Sequence, residues 1–111
     1  METTRVLDAA LRKAGAVWVA AANHPPRLVW TVWRGGALWV AVGPEEQEVP
    51  GLADGVSCRV TLRSPSTHSH LMDLTARASL VDPDEDTTAA LTAARLNAPP
   101  RWESVYRLDP V

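Results

Sequence analysis

The 111-residue sequence is short of residues on which several classes of chemistry depend. Its only cysteine is Cys58, so an internal disulfide is impossible, which fits a reducing compartment. Its only lysine is Lys13, which leaves a single candidate for a Schiff base or a P-loop. No run approaches the roughly 20 apolar residues needed to cross a bilayer, and the charged N-terminus lacks the apolar segment of a signal peptide. We therefore expect a cytoplasmic protein with no membrane partner.

Charge and length exclude further classes of protein. The formal net charge is −2, whereas general nucleic-acid binders carry a basic surplus that neutralises phosphates, so we expect no nucleic-acid partner. A length of 111 residues suits one domain spanning residues 1–111, with enough chain for a hydrophobic core.

Two segments have helical character. Apolar residues recur at helical spacing over residues 4–14, which predicts an amphipathic N-terminal helix. The run Asp82-Pro83-Asp84-Glu85 predicts the start of a second helix, with Asp82 as the cap and Pro83 in the first turn. This helix should continue to about Leu96, because Asn97 and two prolines follow.

Six segments have strand character, at residues 16–22, 27–34, 37–42, 56–63, 70–81 and 102–108. Gly35-Gly36 predicts a two-residue hairpin, since glycine supplies positive φ without steric cost. In the fifth segment, alternation predicts five inward-facing residues: Met72, Leu74, Ala76, Ala78 and Leu80. The order of elements indicates a small antiparallel barrel with helices packed outside it.

The first three strands are rich in tryptophan, in a chain with five tryptophans and no phenylalanine. Both faces of these strands are apolar, so both should be covered. One face can line a core, and the other needs a helix or a second subunit. Trp30 or Trp33 could instead stack on a flat ligand such as a flavin ring, while the alternative is a role in the core and the interface.

Few other residues suggest chemistry. Arg59 and Arg63 share the polar face of one strand and could converge on one anion, or could be ordinary exposed arginines. His68 and His70 could be metal ligands, but no matching cluster lies near them in sequence, so we expect no metal site. Cys58 lies on an apolar strand face and is better interpreted as an inert core residue than as a nucleophile.

The order of several motifs resembles one protein family. These motifs occupy residues 26–33 followed by 35–40, Glu46-Gln47 with residues 50–52, residues 60–64, and residues 95–99. Together they resemble the flavin-binding split β-barrels related to pyridoxamine 5′-phosphate oxidase, particularly short uncharacterised actinobacterial members. The resemblance covers nearly the whole chain, and its specificity comes from the order of the motifs.

This resemblance implies a mainly β protein with some α: a six-stranded antiparallel split β-barrel with an N-terminal helix and a helix before the last strand. It also implies a homodimer with FMN, or sometimes a deazaflavin, at the interface between subunits. Carried over by position, Trp30, Thr31 and Trp33 would lie near the flavin ring. The loop at residues 43–47, which ends at Gln47, would lie near the phosphate, and Arg59 and Arg63 would remain as anion ligands. The catalytic residues are not identified.

The same loop departs from the family pattern. Active members place Ser or Thr with Lys or Arg there, whereas this chain has Glu45-Glu46-Gln47-Glu48. Carboxylates beside a phosphate are electrostatically unfavourable. Two hypotheses follow: an FMN-binding protein that acts as a flavin-dependent oxidoreductase, or a cofactor-free dimeric binding or structural member of the same fold.

Overall fold

The computed structural model describes residues 16–44, 47–63, 70–94 and 102–111. Within these ranges the chain forms seven strands and one helix. In chain order they are β1 Ala16–Ala21, β2 Arg27–Trp30, β3 Val32–Arg34, β4 Ala37–Val42, β5 Ser57–Arg63, β6 His70–Val81, α1 Glu85–Ala94 and β7 Ser104–Pro110. The helix expected at residues 4–14 lies outside the described residues.

The strands form one antiparallel sheet that nearly closes into a barrel. Their order is β2-β1-β5-β6-β7-β4-β3, so the two outermost strands are consecutive in the chain and only Thr31 separates them. The expectation of a single strand at residues 27–34, and therefore of six strands, is wrong. β2 pairs with β1, whereas β3 pairs with β4, so the two halves of this segment follow different neighbours and part at Thr31.

The hairpin between β3 and β4 agrees with the sequence prediction. Gly35 and Gly36 have φ of 63° and 77°, and Arg34 lies opposite Ala37 across the two-residue turn. Two consecutive positive φ angles are typical of the turn whose twist matches that of the flanking strands.

The inner face of the sheet is filled by apolar side chains from six of the seven strands. Val17, Val29 and Val40 are 1%, 2% and 0% exposed and belong to one continuous core that also contains Ala76 and Ala78. Leu80 was expected to join this core but is 52% exposed. β5 begins at Ser57 opposite Arg77, so no β5 residue covers β6 at Leu80.

A second apolar cluster lies on the outer face, where α1 packs over β3, β4 and β7. Its buried members are Ala41, Leu91 and Val105, and partly buried side chains surround them: Trp30, Val32, Trp39, Val81 and Trp102. We call this the outer cluster. The second apolar face of the meander is therefore covered by the chain's own helix on this side of the barrel.

The helix begins later than the sequence suggested. Asp84, not Asp82, is the cap: its Oδ1 accepts a 2.7 Å hydrogen bond from the Thr87 backbone N–H. This bond lowers the pKa of the Asp84 carboxyl, because it stabilises the ionised form. The final strand is also displaced from its expected position and runs over Ser104–Pro110.

Candidate functional site

The three residues expected near a flavin ring do not share one face. Trp30 belongs to the outer cluster and contacts Trp102, with ring centroids 6.3 Å apart and planes inclined by 56°. Trp33 packs against the inner core. Thr31 lies between them and is 7% exposed, and its Oγ1 has no hydrogen-bond partner in the described part of the chain. The structure therefore divides the expected ring contacts between two sides of the sheet.

Gln47 links β2 to β4, which are not neighbours in the sheet. Its Oε1 accepts a 3.0 Å hydrogen bond from the Trp30 N–H, and its Nε2 donates to the Trp30 carbonyl at 2.9 Å and the Ala41 carbonyl at 3.1 Å. The carboxamide thus provides backbone partners in place of a neighbouring strand. The loop is closed by a 3.0 Å bond from the Gly43 N–H to the Gln47 carbonyl.

A groove of about 700 Å³ lies beside this loop, and we call it the loop groove. Its lining includes Arg27, Gly43, Pro44, Gln47, Glu48 and Glu103. Arg27 is the only cationic residue in that described lining, and two carboxylates oppose it. Since like charges repel across a short distance, a phosphate dianion is disfavoured here. The residues present therefore do not fit the phosphate of FMN.

Arg59 lies on the exposed outer face of β5, opposite Ala20 of β1. Arg63 ends β5, and its side chain lies outside the described structure. The structure therefore does not test whether the two arginines converge on one anion.

A second groove, of about 510 Å³, follows the outer face of β1 and β5, and we call it the strand groove. Its lining includes Trp18, Ala20, His24, Arg59, Thr61 and Thr75. No carboxylate is present among the described residues that line it. Asp73 lies beside it on the neighbouring strand β6, where its Oδ1 accepts a 2.6 Å hydrogen bond from the Thr61 hydroxyl. This groove, unlike the loop groove, has a positively charged lining.

His24 is held in one orientation at the end of the strand groove. Its Nδ1 lies 2.8 Å from the Ala22 carbonyl oxygen, which can only accept, so Nδ1 carries the proton. The ring also lies against Gly51, whose φ is 78°, and a Cβ at that position would overlap the imidazole. Nε2 is therefore the ring nitrogen left for another partner.

Cys58 lies in the core, as expected. It is 2% exposed, points into the inner core, and burial raises the pKa of its thiol. The described residues contain no group of three or more His, Cys, Asp or Glu side chains that could hold a metal. His68, and the side chain of His70, lie outside the described structure. No helix among the described residues is long and apolar enough to cross a membrane.

Sequence reasoning missed Arg27 and His24. Arg27 opens β2, and only the approach of the 43–48 loop makes it part of a groove. His24 was interpreted as part of a turn, and its neighbour Asn23 has the positive φ of 65° that fits a turn. A histidine in the loop between two apolar strands was the available signal, but its orientation depends on Gly51, far along the chain.

The chain matches no protein-family model, no curated protein and no solved structure in comparisons with known proteins. The resemblance to flavin-binding split barrels therefore stays a prediction made from sequence motifs.

Proposed function

We propose that this chain is a cytoplasmic, homodimeric split-barrel protein that binds a small molecule and does not use a flavin cofactor. The observation that carries the proposal is the position of Gln47. All three of its hydrogen bonds join backbone groups of Trp30 and Ala41 across the opening of the barrel. A side chain that replaces a missing strand neighbour is not free to bind a phosphate.

The charges of the loop groove support the same conclusion. Glu48 and Glu103 oppose Arg27, and Glu45 and Glu46 occupy the same loop in the sequence. Phosphate sites rely on cations and backbone N–H groups that favour the negative charge. The Gly43 N–H is already bonded to the Gln47 carbonyl. The loop therefore offers little to an incoming phosphate.

Titration with FMN and with riboflavin tests the cofactor part of the proposal. We expect neither flavin to be quenched by micromolar protein, and the purified protein to be colourless. Saturable quenching by FMN at micromolar concentration would overturn the proposal. If riboflavin bound as tightly as FMN, the phosphate would contribute nothing to binding. The loop groove would then be shown not to bind phosphate, but the claim that the protein does not use a flavin would be wrong.

The dimer rests on a second observation, an exposed apolar surface on β1 and β2. Leu28 is 56% exposed and lies directly opposite the half-buried Trp18 in the pairing of these strands. An exposed leucine beside a half-buried tryptophan on a sheet surface is typical of protein interfaces. We assign this surface to the second subunit.

Replacing Leu28 by aspartate should convert dimer to monomer in light scattering at micromolar concentration. Leu80→Asp is the matched control, because Leu80 is 52% exposed but lies at the far end of β6. A monomeric wild-type protein would refute the dimer. Equal effects of the two substitutions would show that the interface is not at Leu28.

A flavin-dependent oxidoreductase is the second candidate, and Thr31 is the observation that favours it. A buried hydroxyl without a partner among the described residues is costly, unless something absent from the chain bonds to it. In this candidate, Thr31 would be the polar contact to FMN or a deazaflavin, and the cofactor would supply the redox chemistry.

Thr31→Val separates the two candidates. If the hydroxyl has no ligand, the isosteric valine should leave the free energy of unfolding unchanged or raise it. If a flavin bonds to it, valine should weaken flavin binding and shift the absorption spectrum of the bound flavin. Urea denaturation gives the first readout without any cofactor.

A further inference from the structure

We propose that the strand groove is the ligand site and that its ligand is a small planar aromatic monoanion, such as an aromatic carboxylate or sulfonate. This proposal rests on the proposed function only in assuming that the protein binds a small molecule. The strand groove shares none of its described lining residues with the loop groove. It is therefore a separate place on the molecule from the expected phosphate loop.

The groove arises from the order of residues on β1. Trp18 and Ala20 share the outer face, because alternate residues of a strand point the same way. The methyl side chain of Ala20, opposite Arg59, leaves a depression between the indole on one side and the His24 turn on the other. At about 510 Å³, the depression is in the size range of small-molecule sites.

Arg59 supplies the positive charge. It is exposed on the groove wall, and its guanidinium makes no hydrogen bond or ion pair within the described residues. A planar guanidinium matches a carboxylate or sulfonate through two parallel N–H donors and also stacks on aromatic rings. An unpaired arginine beside a partly buried indole therefore suits a ligand that is both aromatic and anionic.

His24 supplies a fixed polar contact at the other end of the groove. With Nδ1 donating to the Ala22 carbonyl and the ring seated against Gly51, Nε2 is available to a ligand. A ring fixed in this way loses little conformational entropy when it binds. The exposed hydroxyl groups of Ser57 and Thr75 lie along the same groove.

Asp73 sets the charge of the ligand. Its carboxylate accepts the hydrogen bond of Thr61 and lies beyond that residue, on the neighbouring strand β6. The single arginine in the described lining balances one negative charge, and the carboxylate of Asp73 beside the groove opposes a second. We therefore infer a monoanion rather than a phosphate dianion.

Isothermal titration of the full-length protein with 2-naphthalenesulfonate tests the proposal, with the neutral 2-naphthalenesulfonamide as the matched probe. We expect one sulfonate site per chain, and weaker binding of the sulfonamide by about tenfold, the loss of one charge-assisted hydrogen bond. Arg59→Gln should weaken the sulfonate by a similar factor. Arg77→Gln is the control, since Arg77 is an exposed arginine on β6 that does not line the groove.

Three results of the binding measurements would overturn the proposal. They are no sulfonate binding by the wild-type protein at millimolar concentration, equal binding of the neutral probe, and equal losses from Arg59→Gln and Arg77→Gln. If Arg59→Gln instead lowered the mass of the dimer in light scattering, the groove would be occupied by a second copy of the chain, which also refutes the ligand site.

Different results would refute the proposed function without refuting the ligand site. Saturable FMN binding, or an effect of Leu28→Asp equal to that of Leu80→Asp, bears on the cofactor and the dimer without involving Arg59. Circular dichroism of each variant confirms that it is folded. Because Arg59 is exposed, its replacement should not change the fold.

Discussion

Replacing Gln47 by leucine should destabilise the barrel more than any other single change in the described part of the 43–48 loop. The carboxamide provides partners for the Trp30 N–H, the Trp30 carbonyl and the Ala41 carbonyl. Ala41 is fully buried and Trp30 partly so, hence water can replace only some of these bonds. At about 1 kcal/mol for each net bond, and more for a buried group left unpaired, we expect a loss of about 3 kcal/mol.

Urea denaturation followed by tryptophan fluorescence measures this loss. The midpoint should fall while the dependence on urea concentration stays the same, because the surface exposed on unfolding hardly changes. Glu48→Leu is the control, as Glu48 is exposed in the same loop and no hydrogen bond of its side chain is involved in closing the barrel. A Gln47→Leu variant within about 0.5 kcal/mol of wild type would refute the structural role.

Gln47→Glu gives a second test, in which the direction of the pH dependence of stability is predicted. A carboxylate at this position keeps the acceptor for the Trp30 N–H but faces two carbonyl oxygens, so its pKa in the folded protein should be raised. The protonated glutamate then contributes its full stabilisation below the pKa of glutamate in the unfolded chain, about 4.3. This contribution is lost as pH rises through the pKa of the folded protein. The deficit relative to wild type should therefore shrink on acidification, whereas the deficit of Gln47→Leu should not.

Three further predictions use other features of the fold. Gly51→Ala should destabilise the protein more than Gly55→Ala in urea, because both have positive φ but only the first would overlap the His24 ring. Asp84→Ala should lower the melting temperature at neutral pH. The pKa of the Asp84 carboxyl is lowered in the folded protein, so its stabilisation is present above the unfolded pKa of 3.8 and is lost as pH falls through the folded pKa. The difference in melting temperature should therefore disappear well below pH 3.8. Cys58 should react with a thiol reagent only as fast as the protein opens, and a fast reaction in the native state would contradict its burial.

The sequence predicted the bounds of strands that are flanked by glycine or proline. The bounds of β4 and β6 agree with the expected residues 37–42 and 70–81, because a glycine hairpin precedes the first and Asp82-Pro83 follows the second. The cap of α1 was predicted at Asp82, but two aspartates flank the same proline. Asp84 is the cap because its carboxylate reaches the Thr87 N–H.

The break at Thr31 could not be predicted from the residues around it. Residues 27–34 are continuous in β-propensity, and nothing in their order marks an interruption. Whether the segment is one strand or two depends on its neighbours: β1 on one half, β4 on the other, and the Gln47 side chain between them. These contacts join distant parts of the sequence, so the local pattern does not contain them.

The candidate site was predictable only in its composition. Arg59 was recognised from alternation, because the polar face of β5 can be seen in sequence. That it lies beside Ala20, with Trp18 and His24 at either end of the groove, depends on the pairing of β1 with β5. The expectation that Trp30 and Trp33 both contact a flavin ring conflicts with their positions on opposite faces. Positions three apart in an extended segment point to opposite sides.

The arrangement of the barrel itself narrows where a ligand can bind. The described interior is filled by the side chains of the inner core, so no ligand fits there. Over β3, β4 and β7 the outer face is covered by α1 and the tryptophans of the outer cluster. The described outer face of β1 also carries the surface assigned to the second subunit, at Trp18 and Leu28. Beside it, along β1 and β5, an alanine between larger side chains forms a groove, and an arginine without a partner among the described residues borders it. Because the 43–48 loop closes the barrel, we expect ligand binding on this other face. The variants should therefore differ in what they change. Arg59→Gln should weaken ligand binding and keep the fold, whereas Gln47→Leu should lose stability and, where folded, keep the ligand.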